Sequence, residues 1–127
     1  MLHPLRLHPL FAVALLFIAP LPLENARAAA EASELRKIAD GFFDDYCLDC
    51  HEAGKAKGGM NLEKADAAIA TPEQIDLWVH VYDRIARGEM PPAKQTQPEK
   101  AEVEQLLGAL RPRLLEADRA RREVVQR

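Results

Sequence analysis

The chain lacks most of the features by which a sequence declares its class. It has 2 cysteines in 127 residues. A disulfide framework needs several pairs, and a bridge between Cys47 and Cys50 would be sterically awkward inside a helix. There is no surplus of positive charge: the formal net charge is −3, and nothing supplies the basic footprint that nucleic-acid binding needs. The apolar run Leu10–Ala19 is too short to span a bilayer with comfort. No internal repeat is present, and no strand-like alternation surrounds residue 47. Aromatics make up only 6% of the chain, and apolar residues are scarce beyond residue 30. A chain this small buries little surface and needs a staple.

The N-terminus has the pattern of an export signal. Arg6 gives a modest positive start, Leu10–Ala19 an apolar centre, and Pro20 and Pro22 end it. Ala26-Arg27-Ala28 and Ala28-Ala29-Ala30 both satisfy an A-x-A rule, so residues 1–30 are expected to be removed by cleavage after Ala28 or Ala30. The alternative is an uncleaved membrane anchor; after cleavage no membrane span is expected. Residues 31–112 would then form one small domain, and 113–127 a charged helical extension. Arg111, Arg113, Arg119, Arg121, Arg122 and Arg127 make the C-terminus basic, as in a solvated helix face or a docking patch.

What the chain does have is Cys47-Leu48-Asp49-Cys50-His51. Two thiols three residues apart point the same way on one helical turn, and the next residue is an imidazole. C-x-x-C-H is the attachment signature of a c-type haem: each thiol adds to a vinyl group and the histidine becomes an iron ligand. A thioredoxin-like pair would need a βαβ setting, whereas this stretch has a helical pattern. A zinc site would need a fourth ligand, and only His80 remains after the signal. A covalent haem is also a staple, being a large apolar body for helices to pack on.

Three helical stretches are expected. In the first, from about Ala32 to His51, Leu35, Ile38, Phe42, Phe43 and Tyr46 share a face, with Gly41 marking a break or a close approach. Residues 52–61 are a glycine-rich loop, and Leu62–Ala70 holds at most a short helical piece. Thr71-Pro72-Glu73-Gln74 forms a capping box that opens the second helix. That helix has Ile75, Trp78, Val79, Tyr82 and Ile85 in period, and Gly88 ends it. The third runs from about Pro98 to the C-terminus on a stripe of Val103, Leu106, Leu107 and Leu110, kinked or divided at Pro112.

The second iron ligand sets the chemistry. Met90 is the choice, since it lies far enough along the chain to return on the other side and Pro91-Pro92 fixes the backbone beside it. Met60 is the rival, close after His51. His80 ranks last, because it falls off the face carrying Trp78 and Tyr82. The Trp78 N–H or Arg84 is a candidate donor to a haem propionate, set against plain core packing for Trp78.

Taken together, these segments resemble the small cytochrome c domains of planctomycete-type and related bacterial proteins. The likeness rests on Tyr46-Cys47-x-x-Cys50-His51, Lys57-Gly58-Gly59 followed by an apolar residue and Leu62, Trp78-x-x-Val81, and Gly88-x-Met90-Pro91-Pro92. It covers residues 40–111. The resemblance implies an all-α, small cytochrome c fold, with three to four helices wrapped round one covalently attached haem c. It also implies His51 and Met90 as ligands, and disfavours Met60, which stands where the family usually has leucine. In many relatives the domain is joined to larger ones.

The expected function is one-electron transfer in the periplasm between transient redox partner proteins, as a carrier and not an enzyme. The alternatives are a haem module docked to or fused with a periplasmic oxidoreductase, and a sensor or peroxidase-like protein with a labile distal ligand.

Overall fold

The computed structural model describes residues 23–126. The expected signal start at Arg6 and the run Leu10–Ala19 lie outside the described residues. Four α-helices are arranged in order: α1 Leu23–Tyr46, α2 Leu48–His51, α3 Pro72–Ala86 and α4 Lys100–Val125. Short 3-10 turns at Lys57–Gly59 and Leu62–Lys64 lie between α2 and α3. The described residues contain no strand, so the expected all-α class holds.

Helix α4 packs on both α1 and α3 and forms the spine of the molecule. Its Leu106 and Leu110 are 0% exposed, and burying a leucine side chain contributes about 1.5–3 kcal/mol. Leu35, Ala39, Phe42 and Phe43 meet them from α1; Trp78, Val81 and Ile85 meet them from α3. The Phe43 and Trp78 rings stack with centroids 5.6 Å apart. The apolar periods of α1 and α4 thus predict their inner faces well, although Val103 and Leu107 are only partly buried. In α3 the prediction is off by a position: Val79 is exposed and Val81 is buried.

Three expectations are corrected. The first helix does not run unbroken to His51 but stops at Tyr46 and restarts at Leu48. Gly41 marks neither a break nor a close approach; it lies inside α1 with open space where a Cβ would stand. Pro112 does not divide the last helix, which continues through it to Val125. Packing explains the continuity, since Leu110 is buried before the proline and Arg113, Leu114 and Ala117 pack inward after it. Residue 112 is therefore not a structural boundary, and α4 leaves the core only beyond Ala117. Arg113, 9% exposed, pairs with Glu116 at 2.6 Å and with Glu31 of α1 at 3.7 Å.

The segment between the second 3-10 turn and α3 folds through a tight turn, in which the Ile69 N–H donates to the Asp66 carbonyl at 3.1 Å, and it buries Ala65, Ala67 and Ile69. It is held by side chains of three helices. Arg36 of α1 donates to the Ala65 carbonyl at 3.3 Å and Arg113 of α4 to that of Ala68 at 3.4 Å. From α3, Trp78 Nε1 donates to the Asp66 carbonyl at 2.8 Å. Thr71 caps α3 as expected, accepting from the Gln74 N–H. The Gln74 side chain does not reach back to complete the box; it donates to the Lys64 carbonyl at 2.8 Å and accepts from the Asp66 N–H at 2.7 Å.

Candidate functional site: a thiol and imidazole cavity

The end of α1 sets the position of the thiols. The Cys47 N–H still donates to the Phe43 carbonyl at 2.9 Å, but φ −124° and ψ −43° at Cys47 turn the chain out of the helix. The Cys50 and His51 N–H groups then both donate to the Cys47 carbonyl at 3.1 Å, forming the single turn of α2. Cys47 and Cys50 are free thiols. Burial pushes the Cys47 thiol up to about 12, so it stands as a neutral sulfhydryl.

His51 Nδ1 lies 3.3 Å from the Met60 carbonyl oxygen. A carbonyl only accepts, so Nδ1 carries the proton and Nε2 keeps a lone pair free for a metal. This partner was invisible in the sequence because it is a main-chain atom. Successive left-handed glycines bring it there: Gly58 has φ +66° and Gly59 φ +76°, which costs glycine no Cβ clash. The same bond puts the Met60 main chain on the His51 side.

Met90 arrives from the other end of α3. The Gly88 N–H donates to the Ile85 carbonyl at 3.0 Å and the Glu89 N–H to that of Arg84 at 2.9 Å, with Gly88 at φ +67°. This is the paired-bond helix stop that needs a left-handed residue. The Met90 N–H also donates to the Arg84 carbonyl, at 3.3 Å. Beyond it, Gln97 Nε2 donates to the carbonyls of Pro92 at 2.9 Å and Gln95 at 3.1 Å, tying down the loop.

These pieces border one cavity of about 640 Å³, a size that suits a cofactor. Cys47, Cys50, His51 and Met90 all line it, as do Met60 and Arg84. Phe42, Phe43, Leu62, Val81 and Ile85 give it apolar walls. Met90 is 39% exposed. The residues fit a haem: two free thiols at the required spacing, an imidazole of the right tautomer, and a thioether from a distant segment.

The other expected site residues divide. Arg84 lines the cavity and its Nη1 pairs with the Glu89 carboxylate, which leaves other guanidinium donors. Trp78 is 1% exposed and its only N–H is given to Asp66, away from the cavity wall. The donor proposed for a propionate is therefore engaged within the fold. His80 is off the buried Trp78 face, as its register requires, yet it lines the cavity one turn before Arg84. Sequence reasoning also missed Lys57 in the wall.

Residues 47–94 match the family model described as Planctomycete cytochrome C. Neither the curated proteins nor the solved structures gave a match. The matched stretch opens on the first thiol and closes just beyond Met90, so it includes Cys47, Cys50, His51 and Met90, while the part of the wall given by α1 precedes it. Over that stretch the chain is similar to a planctomycete-type cytochrome c domain.

Proposed function

We propose that the protein is a periplasmic electron carrier in which Cys47 and Cys50 bridge one haem c and His51 and Met90 ligate its iron. The family implies a covalently held haem c, and the carrying observation is that one cavity has all four side chains in its wall. When bound, the haem supplies an iron that takes up and releases a single electron. The chain's own residues do the rest. The Met60 carbonyl keeps the His51 ring in the ligating tautomer. The Met90 thioether, a soft donor, favours the reduced iron, and Gly88 and Gln97 hold the loop that presents it. With both His51 and Met90 bound, the iron would have no place for a substrate, which would suit a carrier meeting redox partners briefly.

Export through residues 1–30, cleaved after Ala28 or Ala30, is part of the same reading. The stretch of α1 from Leu23 to Ala30 has no buried residue, and the first is Leu35. Cleavage at either site therefore spares the core. No helix among the described residues is long and apolar enough to cross a membrane.

The test is the protein exported by a host that attaches haem c. We expect a pyridine haemochrome spectrum of the thioether type, and a mass equal to one haem plus a polypeptide beginning at Ala29 or Glu31. A colourless product with the mass of bare polypeptide refutes the reading.

A further inference from the structure

Arg113 is a buried cation with an incomplete set of acceptors. It is 9% exposed. Its Nη1 pairs with Glu116 at 2.6 Å and its Nη2 donates to the Ala68 carbonyl at 3.4 Å. Among the described residues its Nε has no acceptor. A second carboxylate, Glu31 of α1, stands nearby, with Oε2 3.7 Å from Nη1 and so beyond hydrogen-bond reach. Glu31 is already held: its Oε1 accepts from Arg27 Nε at 2.7 Å.

Arg27 is the more weakly placed of the two cations. Its side chain is 82% exposed, and water screens an attraction made there. Its bond nevertheless holds the Glu31 carboxyl below the ordinary value, with the charge of Arg113 a smaller cause. Glu31, and more weakly Glu116, raise the Arg27 guanidinium above its own ordinary value. Arg27 thus draws on both carboxylates that serve Arg113. It also precedes both expected cleavage points, Ala28 and Ala30.

We propose that removal of the leader passes Glu31 from Arg27 to Arg113, so that processing itself tightens the tie between α1 and α4. This rests on the export reading above and goes beyond it by giving the cut a structural consequence. With Arg27 gone, Arg113 is the other cation that Glu31 faces among the described residues. That cation is buried, where opposite charges attract more strongly and an uncompensated charge costs more. Arg113 stands on α4 and also holds the Ala68 carbonyl. Closing its pair with Glu31 therefore fastens the start of the processed α1 to α4 and to the segment that leads into α3.

The experiment compares two exported, haem-loaded forms. One begins at Ala29; the other has its leader cut ahead of Leu23 and so keeps Arg27. Urea midpoints are measured for each with and without Glu31→Gln, and the longer form is measured again with Arg27→Gln in place. We expect Glu31→Gln to lower the midpoint more in the shorter form than in the longer one. Arg27→Gln should restore the larger fall to the longer form, which separates loss of the cation from fraying of a shortened helix. With Arg113→Met in place, Glu31→Gln should have the same effect in both forms. Equal falls with and without Arg27 overturn the proposal, and that comparison decides even where Arg113→Met does not fold. The mass of the protein exported with its own leader tests the reading beneath separately. Retention of residues 1–28 refutes the cleavage, whereas a cut there with equal falls refutes only the transfer of Glu31.

Discussion

The Tyr46 hydroxyl donates a 2.8 Å hydrogen bond to Glu102 Oε2, joining the last residue of α1 to the first turn of α4. The same carboxylate accepts from the Glu99 N–H at 2.8 Å, so one side chain both caps α4 and anchors the residue next to the first thiol. The bond to Glu102, with some burial, holds the Tyr46 hydroxyl above its ordinary value of 10.0. A raised folded value means that the folded state keeps a proton the unfolded state has lost. The associated stability is present below about pH 10 and disappears as pH rises through the folded value. Tyr46→Phe should unfold at lower urea than the native haem protein at pH 8, and the gap should close as pH rises past 10. A gap that is constant with pH would show that the hydroxyl bond is not its source.

Cys47 gives a second pH-dependent outcome. Its thiol is moved from 9.0 to about 12 by burial, so at pH 8 the folded chain holds a roughly thousandfold smaller thiolate population there than the unfolded chain. Iodoacetamide should label Cys47 far more slowly in the haem-free folded protein than in urea, read by peptide mass. The haem-free protein should also lose stability as pH rises above 9.0, because the unfolded thiol ionises first. A thioether cannot ionise, so that loss is absent from the haem-loaded form. Equal labelling rates in buffer and urea would contradict the burial.

Gly88→Ala tests the turn that presents Met90. There is space for the added Cβ, with nothing within 4 Å, but φ is +67°. The cost is therefore one of backbone conformation, about 1–2 kcal/mol. Urea unfolding should register that loss. The weak red absorption of sulfur-ligated ferric iron should diminish with it, since the Glu89 and Met90 N–H bonds to the Arg84 carbonyl depend on the turn.

Trp78→Phe separates core packing from cofactor contact. It removes the 2.8 Å bond to the Asp66 carbonyl and some buried volume, costing about 1–3 kcal/mol. The midpoint potential should be unchanged. A shifted potential would mean that the indole N–H serves the haem.

The sequence showed where the helices lie because each has a local cause. Thr71 and Pro72 open α3, Gly88 closes it, and the apolar repeats mark the inner faces. Residues whose behaviour is set by packing were less legible. Pro112 sits between two inward-packing turns of α4, which override its tendency to divide a helix. Gln74 has the right spacing for a capping box, but a neighbouring segment offers it better partners. Val79 and Val81 exchange places because a short helix allows more than one apolar register. At the site, Cys47, Cys50, His51 and Met90 were legible as candidates from residue type and spacing. The Met60 carbonyl was not, since no side chain encodes it, and Lys57 and His80 gave no signal until the loop and α3 were seen to share a wall.

The connecting stretch at 64–68 has a consequence for how the domain comes apart. Its main-chain groups find their partners in Arg36, Gln74, Trp78 and Arg113, which stand on three separate helices. Undocking any one helix frees part of the same few peptide groups and weakens the footing of the other two. Substitutions at these four positions should therefore not add. The exchange rate of the Asp66 amide hydrogen, which is tied to Gln74, should report the assembly of the whole bundle rather than the state of one loop.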